Sequence, residues 1–328
     1  MSAPLLRPVM PSSSTRTRPV LRQTATATGT LLVALALLTA RSSRADVSSG
    51  LTTYWDFDDS LTDKAVAFPF AASTVADNAE FVNEPDVSYG TGLFGKAYQG
   101  IGGTSGGHAS VTLSDDLSGL ITGNVSVAFW FQAKGPTSEW QAAVAVGEGS
   151  AWRVARGASS NPINMAYAGG SGDIYSSVTF GPPSNPEAAW HHFAAVTEGG
   201  VSTRLYIDGV LQSTGAAPTL TDNGSGELWI GGNPQAGNRA WNGLLDDMAV
   251  WNRPLTAGDV ANIYAQGKNN TKSIGALLTE ESLDADRDGL PDTWEIANLG
   301  AGAQSDNGSV NPDFGPNGDP DVDGATNL

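Results

Sequence analysis

The sequence predicts an all-β chain organised around an antiparallel sheet, and two observations carry that expectation. Residues 190–255 contain four apolar segments of strand length: WHHFAAV (190–196), RLYIDGVLQ (204–212), ELWIGG (227–232) and GLLDDMAVWNRPL (243–255). Turn residues punctuate them. Asp208-Gly209 joins two β-rich arms with the φ > 0 geometry of a type I′ hairpin, and Gly231-Gly232 stops the next strand. Alternation along 190–196 sets Trp190, His192, Ala194 and Val196 on one face and His191, Phe193 and Ala195 on the other. Such a series describes antiparallel pairing rather than a helical domain.

Taken in order, residues 1–28 are basic and rich in Ser, Thr and Pro, and Gly29–Ala40 is an apolar run of twelve. A bilayer span needs about 20 such residues. The run therefore reads as the core of a secretory signal peptide at 1–45, with Ser43 and Ala45 at the −3 and −1 positions of a cut before Asp46. An uncleaved anchor is the alternative. Cleavage implies a secreted or cell-surface protein with no membrane insertion afterwards. Strands are expected at 51–58, 108–113, 124–132, 141–147, 151–156, 163–168 and 174–180, before Pro182, Pro183 and Pro186 break the pattern. Thr256 with Asp259 three residues on forms a capping-box variant. It opens a short C-terminal helix that runs through Tyr264 and is closed by Gly267. The sandwich domain is thus assigned to 46–268, a polar linker to 269–280 and an acidic, Gly-rich calcium-binding tail to 281–328.

The sharpest chemical signal lies in that tail. Asp284, Asp286, Asp288, Gly289, Asp292 and Glu295 fit D-x-D-x-D-G-x-x-D-x-x-E over twelve positions. Ca²⁺ takes six to eight hard oxygen ligands. Asp284, Asp286 and Asp288 would supply the first three, Leu290 its carbonyl, Asp292 a direct or water-mediated contact, and Glu295 both carboxylate oxygens. A second copy begins at Asp319, Asp321 and Asp323, and its twelfth position falls beyond Leu328. That reads as a truncated loop of a longer protein.

Two family resemblances attach to these residues. The Trp-His strand, the Tyr206–Gly209 hairpin, the strand ending at Gly232 and the G-x-x-D-D-x-x-x-x-N-R-x-L string from Gly243 to Leu255 together resemble the laminin-G-like domain of bacterial secreted proteins. Tyr54–Asp58 and Gly92–Ala97 are similar to that family's opening strand and small-residue turn. The resemblance covers roughly 51–267. It implies a two-sheet antiparallel jelly-roll sandwich of the concanavalin-A-like superfamily, which carries lectins, enzymes and spacers alike. It also implies a structural Ca²⁺ where the last strand meets the first, with Asp246 as a ligand and Asp56 or Asp58 beside it. Alternation sends Asp246 and Asp247 to opposite faces, and the alternative is one exposed acid and one hydrogen-bonded to backbone. The tail resembles dockerin and thrombospondin type 3 calcium loops. Pro291 stands where a paired EF-hand needs a backbone donor, which proline lacks.

Composition narrows the partners. The chain has 17 basic and 34 acidic residues. Six of the basic ones precede Asp46, which leaves 11 against 34, a net of −23, for the remainder. Such a surface repels nucleic acid and suits cations. The absence of Cys excludes disulfides and thiolate sites. His191 and His192 point apart on a strand and cannot chelate zinc together. No catalytic carboxylate pair or triad is read from the sequence. The expected function is a non-catalytic binding or adhesion module for a polysaccharide, glycoprotein or cell-surface ligand. Trp140, Trp152, Tyr167, Tyr175 and Trp241, in or beside Gly/Ser-rich loops, are the candidate sugar-stacking aromatics. An accessory domain of a longer glycan-degrading enzyme and a structural spacer are the alternatives.

Overall fold

In the computed structural model, residues 47–327 are described apart from 85, 105, 115–116, 118–122, 150, 158–162, 170–171, 181–188, 217–225, 289, 301, 306–310, 314 and 319–325. Fifteen strands occur among the described residues: β1 (Leu51–Trp55), β2 (Glu80–Val82), β3 (Val87–Thr91), β4 (Lys96–Ile101), β5 (His108–Thr112), β6 (Val125–Ala133), β7 (Ala142–Ala145), β8 (Trp152–Arg156), β9 (Ile163–Gly169), β10 (Asp173–Phe180), β11 (His191–Glu198), β12 (Ser202–Ile207), β13 (Val210–Ala216), β14 (Glu227–Ile230) and β15 (Asn242–Trp251). Three helices follow, α1 (Ala257–Asn270), α2 (Ile274–Ser282) and α3 (Asp292–Asn298). The strands form two antiparallel sheets of a jelly-roll sandwich. One runs β13-β12-β11-β6-β15-β4-β3 with β1 also paired to β15, and the other runs β10-β9-β8-β7-β14-β5-β2.

The alternation read at 190–196 is realised in β11. Phe193 and Ala195 enter the core between the sheets, with Phe129, Phe131 and Leu205. Ala194 and Val196 face outward under the helices. The β12–β13 turn has φ 50° at Asp208 and 74° at Gly209, the positive pair that a type I′ turn needs. Asp208 Oδ1 accepts from the His192 N–H at 2.9 Å, and Oδ2 contacts His191 Nδ1 at 2.8 Å.

The two faces of the sandwich differ. The outer face of the eight-stranded sheet is covered: Ala128, Ala249 and Trp251 pack beneath Val260 and Ile263 of α1 and Ile274 and Leu277 of α2. No helix among the described residues packs on the seven-stranded sheet in this way.

Two local expectations change. The Thr256 hydroxyl accepts from Asp259 N–H and the Asp259 carboxylate returns the bond, so the capping box is present. However, α1 does not stop at Gly267 but continues to Asn270, with Thr271 in the left-handed C-cap conformation. Gly267 is a packing glycine. A Cβ there would lie 2.5 Å from Cζ2 of Trp130. Residues 274–282, read from sequence as the end of the linker and the start of the tail, form α2. Ser273 caps it by accepting from Ala276 N–H at 3.1 Å, and Ile274, Leu277 and Leu278 are buried.

Candidate functional site

The first site is built by an irregularity in β15. Its first half, Asn242–Leu245, pairs with β4, and its second half, Met248–Trp251, pairs with β1. The register with β6 slips between Asp246 and Ala249, and Asp247 has φ 53°. This is a β-bulge. Leu245 and Met248 both point into the core, so the two residues between them both turn outward. The sequence expectation that Asp246 and Asp247 lie on opposite faces is therefore corrected: strict alternation fails where one residue is inserted. Neither acid is exposed, so the exposed-acid alternative falls as well.

Both line a cavity of ≈ 230 Å³ with Tyr54, Asp56, Asp58 and Lys64. Asp246 Oδ2 accepts from the N–H groups of Leu93 and Phe94 at 2.7 and 2.9 Å, holding the Gly92–Gly95 turn, while its Oδ1 is buried without a partner. Asp247 accepts from Tyr54 Oη at 2.7 Å and from Ile274 N–H, at the start of α2. Asp56 forms an ion pair with Lys64. Asp58 accepts from Lys96 N–H at 2.6 Å. Burial pushes the Asp246 carboxyl up to about 8 and Asp247 up to about 7. Lys64, which no sequence pattern announced, is the counter-charge to this group.

The second site is the acidic loop between α2 and α3. Asp284, Asp286 and Asp288 each offer a carboxylate oxygen, and these oxygens lie within 4.8 Å of one another, the one such cluster among the described residues. Asp56 and Asp246 are not in a cluster of this kind. Backbone bonds hold the loop. Asp288 N–H donates to Asp284 Oδ1 at 3.2 Å, Leu290 N–H to Asp288 Oδ1 at 2.8 Å, and Ala285 N–H to Asp292 Oδ1 at 2.7 Å. Each of these three acids thus spends one oxygen on the backbone. Asp286 Oδ2, Asp288 Oδ2 and both oxygens of Glu295 are buried and unpartnered. Glu295 is 0% exposed. Burial, with the carboxylates of Asp286, Asp288, Asp284 and Asp292 nearby, raises Glu295 to about 7. Burial and the neighbouring Asp288 raise Asp286 to about 6. Orphaned buried carboxylate oxygens cost several kcal/mol unless something neutralises them. A donor set of hard oxygens without nitrogen or sulfur fits a divalent cation of the Ca²⁺ type. Leu290 is buried, and Gly289 with Asp319, Asp321 and Asp323 lies outside the described residues.

This loop is seated on the sandwich, which sequence reasoning missed. The Glu281 carboxylate accepts from Val47 and Ser48 N–H at 2.7 and 2.9 Å. Arg287 Nη2 reaches Ser48 Oγ at 3.0 Å.

Of the five aromatics expected to stack on sugar, three are corrected. Trp152, Tyr167 and Trp241 are 1%, 1% and 0% exposed and belong to the core between the sheets. Trp152 Nε1 donates to Tyr167 Oη, and Tyr167 Oη bonds Thr197 Oγ1. Gly169 and Gly243, which follow Tyr167 and Trp241 by two residues, lie inside β9 and β15 rather than in open loops. Trp140 and Tyr175 come together on the outer side of the seven-stranded sheet, ring centroids 6.4 Å apart, with the Arg153 guanidinium 4.4 Å over Trp140 and Tyr175 41% exposed. One G-x-S-x-G string, Gly103–Gly107, leads into β5 rather than from a strand into a helix, so it is not a nucleophile elbow. Among the described residues no helix is long and apolar enough to cross a membrane.

Comparison with known proteins fits this architecture. No curated protein matches the chain. Domain 4 of AbnA, a GH43 extracellular arabinanase from Geobacillus stearothermophilus solved in complex with arabinotriose, is 18% identical, with 66% of this chain and 98% of that chain covered and a TM-score of 0.47. The binding domain of Paraclostridial Mosquitocidal Protein 1 is 14% identical, with 68% and 53% covered and a TM-score of 0.50. This chain spans about half of that toxin domain. A structure of botulinum neurotoxin type C, whose cell entry is described as dependent on two ganglioside molecules, is 15% identical, with 67% and 51% covered and a TM-score of 0.47. Residues 105–261, from the approach to β5 into α1, match the family model of the concanavalin A-like lectin/glucanases superfamily, Laminin_G_3.

Proposed function

We propose that the chain is a secreted, non-catalytic module that binds a glycan or glycosylated cell-surface partner, and whose acidic C-terminal loop is closed by Ca²⁺. The observation that carries the binding reading is the asymmetry of the sandwich. Helices bury the outer face of one sheet, while the outer face of the other is left to present aromatic and polar side chains, Trp140 and Tyr175 among them. Ring faces beside polar groups suit sugars, which offer C–H faces and hydroxyl edges. The calcium reading rests on Glu295, a buried carboxylate with no partner beside three clustered aspartates. Asp246 and Asp56 form a weaker cation position, because Lys64 already supplies positive charge there.

The test is a glycan array probed with the full chain in millimolar Ca²⁺ and again in chelator. Binding to a defined set of glycans supports the reading. Failure to bind any glycan or intact cell leaves a spacer, and turnover of a polysaccharide would remove the non-catalytic assignment. Mass spectrometry of the exported protein tests secretion: residues 1–45 should be missing.

A further inference from the structure

The outer face of the seven-stranded sheet is grooved at its β14-β5-β2 end. A cavity of ≈ 430 Å³ is lined by Val82, Asn83, Thr104, His108, Glu227 and Trp229 among others. A second cavity of ≈ 570 Å³ is lined by Asn78, Glu80, Thr112 and Ser114 and shares Val82, Ser110 and Glu227 with the first. Sharing these three residues, the two adjoin on the strip that runs from His108 at the start of β5 to Ser114 just past its end. At about 3.4 Å per residue that is a run of roughly 20 Å, long enough for several sugar units rather than one.

Register explains why these side chains share a face. Glu80 pairs with Ser110 and Ser110 with Trp229, while Thr112 pairs with Glu227 and Val82 with His108. Directly paired residues project from the same side of a sheet. Leu228 and Ile230 take the opposite side, in the core. The walls are preformed. The His108 and Trp229 rings stack with centroids 3.5 Å apart and planes 15° apart. The Trp229 indole N–H donates to Glu227 Oε2 at 2.7 Å, and His108 Nδ1 is held at the Gly106 carbonyl. Burial lowers the His108 pKa, which favours the neutral ring. Among the described residues no Lys or Arg lines either cavity, whereas Asp77, Glu80 and Glu227 do.

We infer that this groove, centred on Trp229 and His108, is a binding site for an uncharged oligosaccharide. The half-buried Trp229 ring, backed by the buried His108 ring, offers an apolar surface to a sugar face, and Ser110, Thr112, Asn83 and the two glutamates offer hydrogen-bond partners to its hydroxyls. An anionic sugar would set its carboxylate or sulfate beside Glu80 and Glu227 with no cation to meet it, a cost that selects against acidic glycans. The site is distinct from the Trp140–Tyr175 pair, and it deepens the glycan-binding reading on which it rests.

Calorimetric titration of the full chain with cellohexaose, xylohexaose, laminarihexaose and arabinotriose, and with sialyllactose and oligogalacturonate as acidic probes, decides the matter. At least one neutral probe should bind. Trp229→Ala should weaken it about tenfold or more, and Ser110→Phe, which fills the groove while keeping Trp229, should do the same with unchanged thermal unfolding. If a probe binds wild type and both variants equally, the groove is overturned while the glycan-binding reading stands. Preference for the acidic probes overturns the charge argument and with it the site. Absence of binding by every probe overturns the groove, and a blank glycan array alongside it would remove the wider reading too.

Discussion

The guanidinium of Arg287 lies 4.3 Å over the ring of Phe70. Arg287 belongs to the acidic loop and Phe70 to the segment between β1 and β2, so this contact joins the loop to the sandwich. Together with the bonds from Val47 and Ser48 N–H to Glu281, it makes the loop a part of the fold rather than a tethered appendage. Loss of the contact should therefore be felt by the sandwich. Arg287→Ala is expected to lower stability by about 0.5–1 kcal/mol through the lost cation–π and packing contact, since Arg287 is exposed. Thermal unfolding in saturating Ca²⁺ measures it, and an unchanged midpoint would show that the loop and sandwich are independent.

Asp247 is expected to be structural. Its carboxylate bonds the Tyr54 hydroxyl and the first N–H of α2, both buried. Asp247→Ala should cost about 2–4 kcal/mol, since it strands two donors and places alanine at φ 53°. Tyr54→Phe should cost less. Denaturant unfolding of the two single variants and the double variant should reveal coupling between them, and strict additivity would mean that the bond contributes nothing.

These examples show where the sequence was legible. Asp208-Gly209 and Thr256-x-x-Asp259 were readable because a turn and a cap are decided within four residues. The Asp246-Asp247 bulge was not, because alternation assumes one residue per pleat and nothing local marks the insertion. Gly267 looked like a helix stop because its contact, the Trp130 ring, lies over a hundred residues away. Trp152, Tyr167 and Trp241 were misjudged for the same reason: nearby Gly and Ser do not report which side of a strand faces the core, and Gly169 and Gly243 are themselves strand residues. Strands β2, β3 and β4 were missed because their runs are short and Asn, Asp and Gly flank or interrupt them. The Trp229–His108 stack depends on a β14–β5 register that no local pattern reports.

The buried His192 makes the fold acid-sensitive. Burial depresses its pKa to about 4, from an ordinary value of 6.5. Between these values the unfolded chain binds a proton that the folded chain refuses, so stability falls as pH drops from 6.5 toward 4. The limiting contribution is ~3 kcal/mol. A plot of unfolding free energy against pH should flatten in this window for His192→Phe. Parallel curves for the two proteins would count against the assignment.

Glu295 gives the opposite sign in chelator. It holds its proton up to about 7 when folded and releases it near 4.5 when unfolded. Across that interval the folded state binds more protons, so stability falls as pH rises. A bound cation stabilises the ionised form and should reverse the trend, because ligands must lose their protons to coordinate. Melting curves from pH 4.5 to 7.5, with chelator and with Ca²⁺, should therefore diverge as pH increases. Curves that stay a constant distance apart would mean that Glu295 does not sense the ion.

Calorimetric titration of Ca²⁺ into the full chain tests the central claim most directly, that a cation completes the Asp284–Glu295 loop. Wild type should bind with a dissociation constant of about 10⁻⁴–10⁻³ M or somewhat tighter, and Mg²⁺ should compete poorly. Glu295→Ala should weaken binding at least about tenfold, since it removes a two-oxygen ligand, while the sandwich stays folded. No heat of Ca²⁺ binding to the wild-type chain, or an isotherm that Glu295→Ala leaves unchanged, would contradict the account.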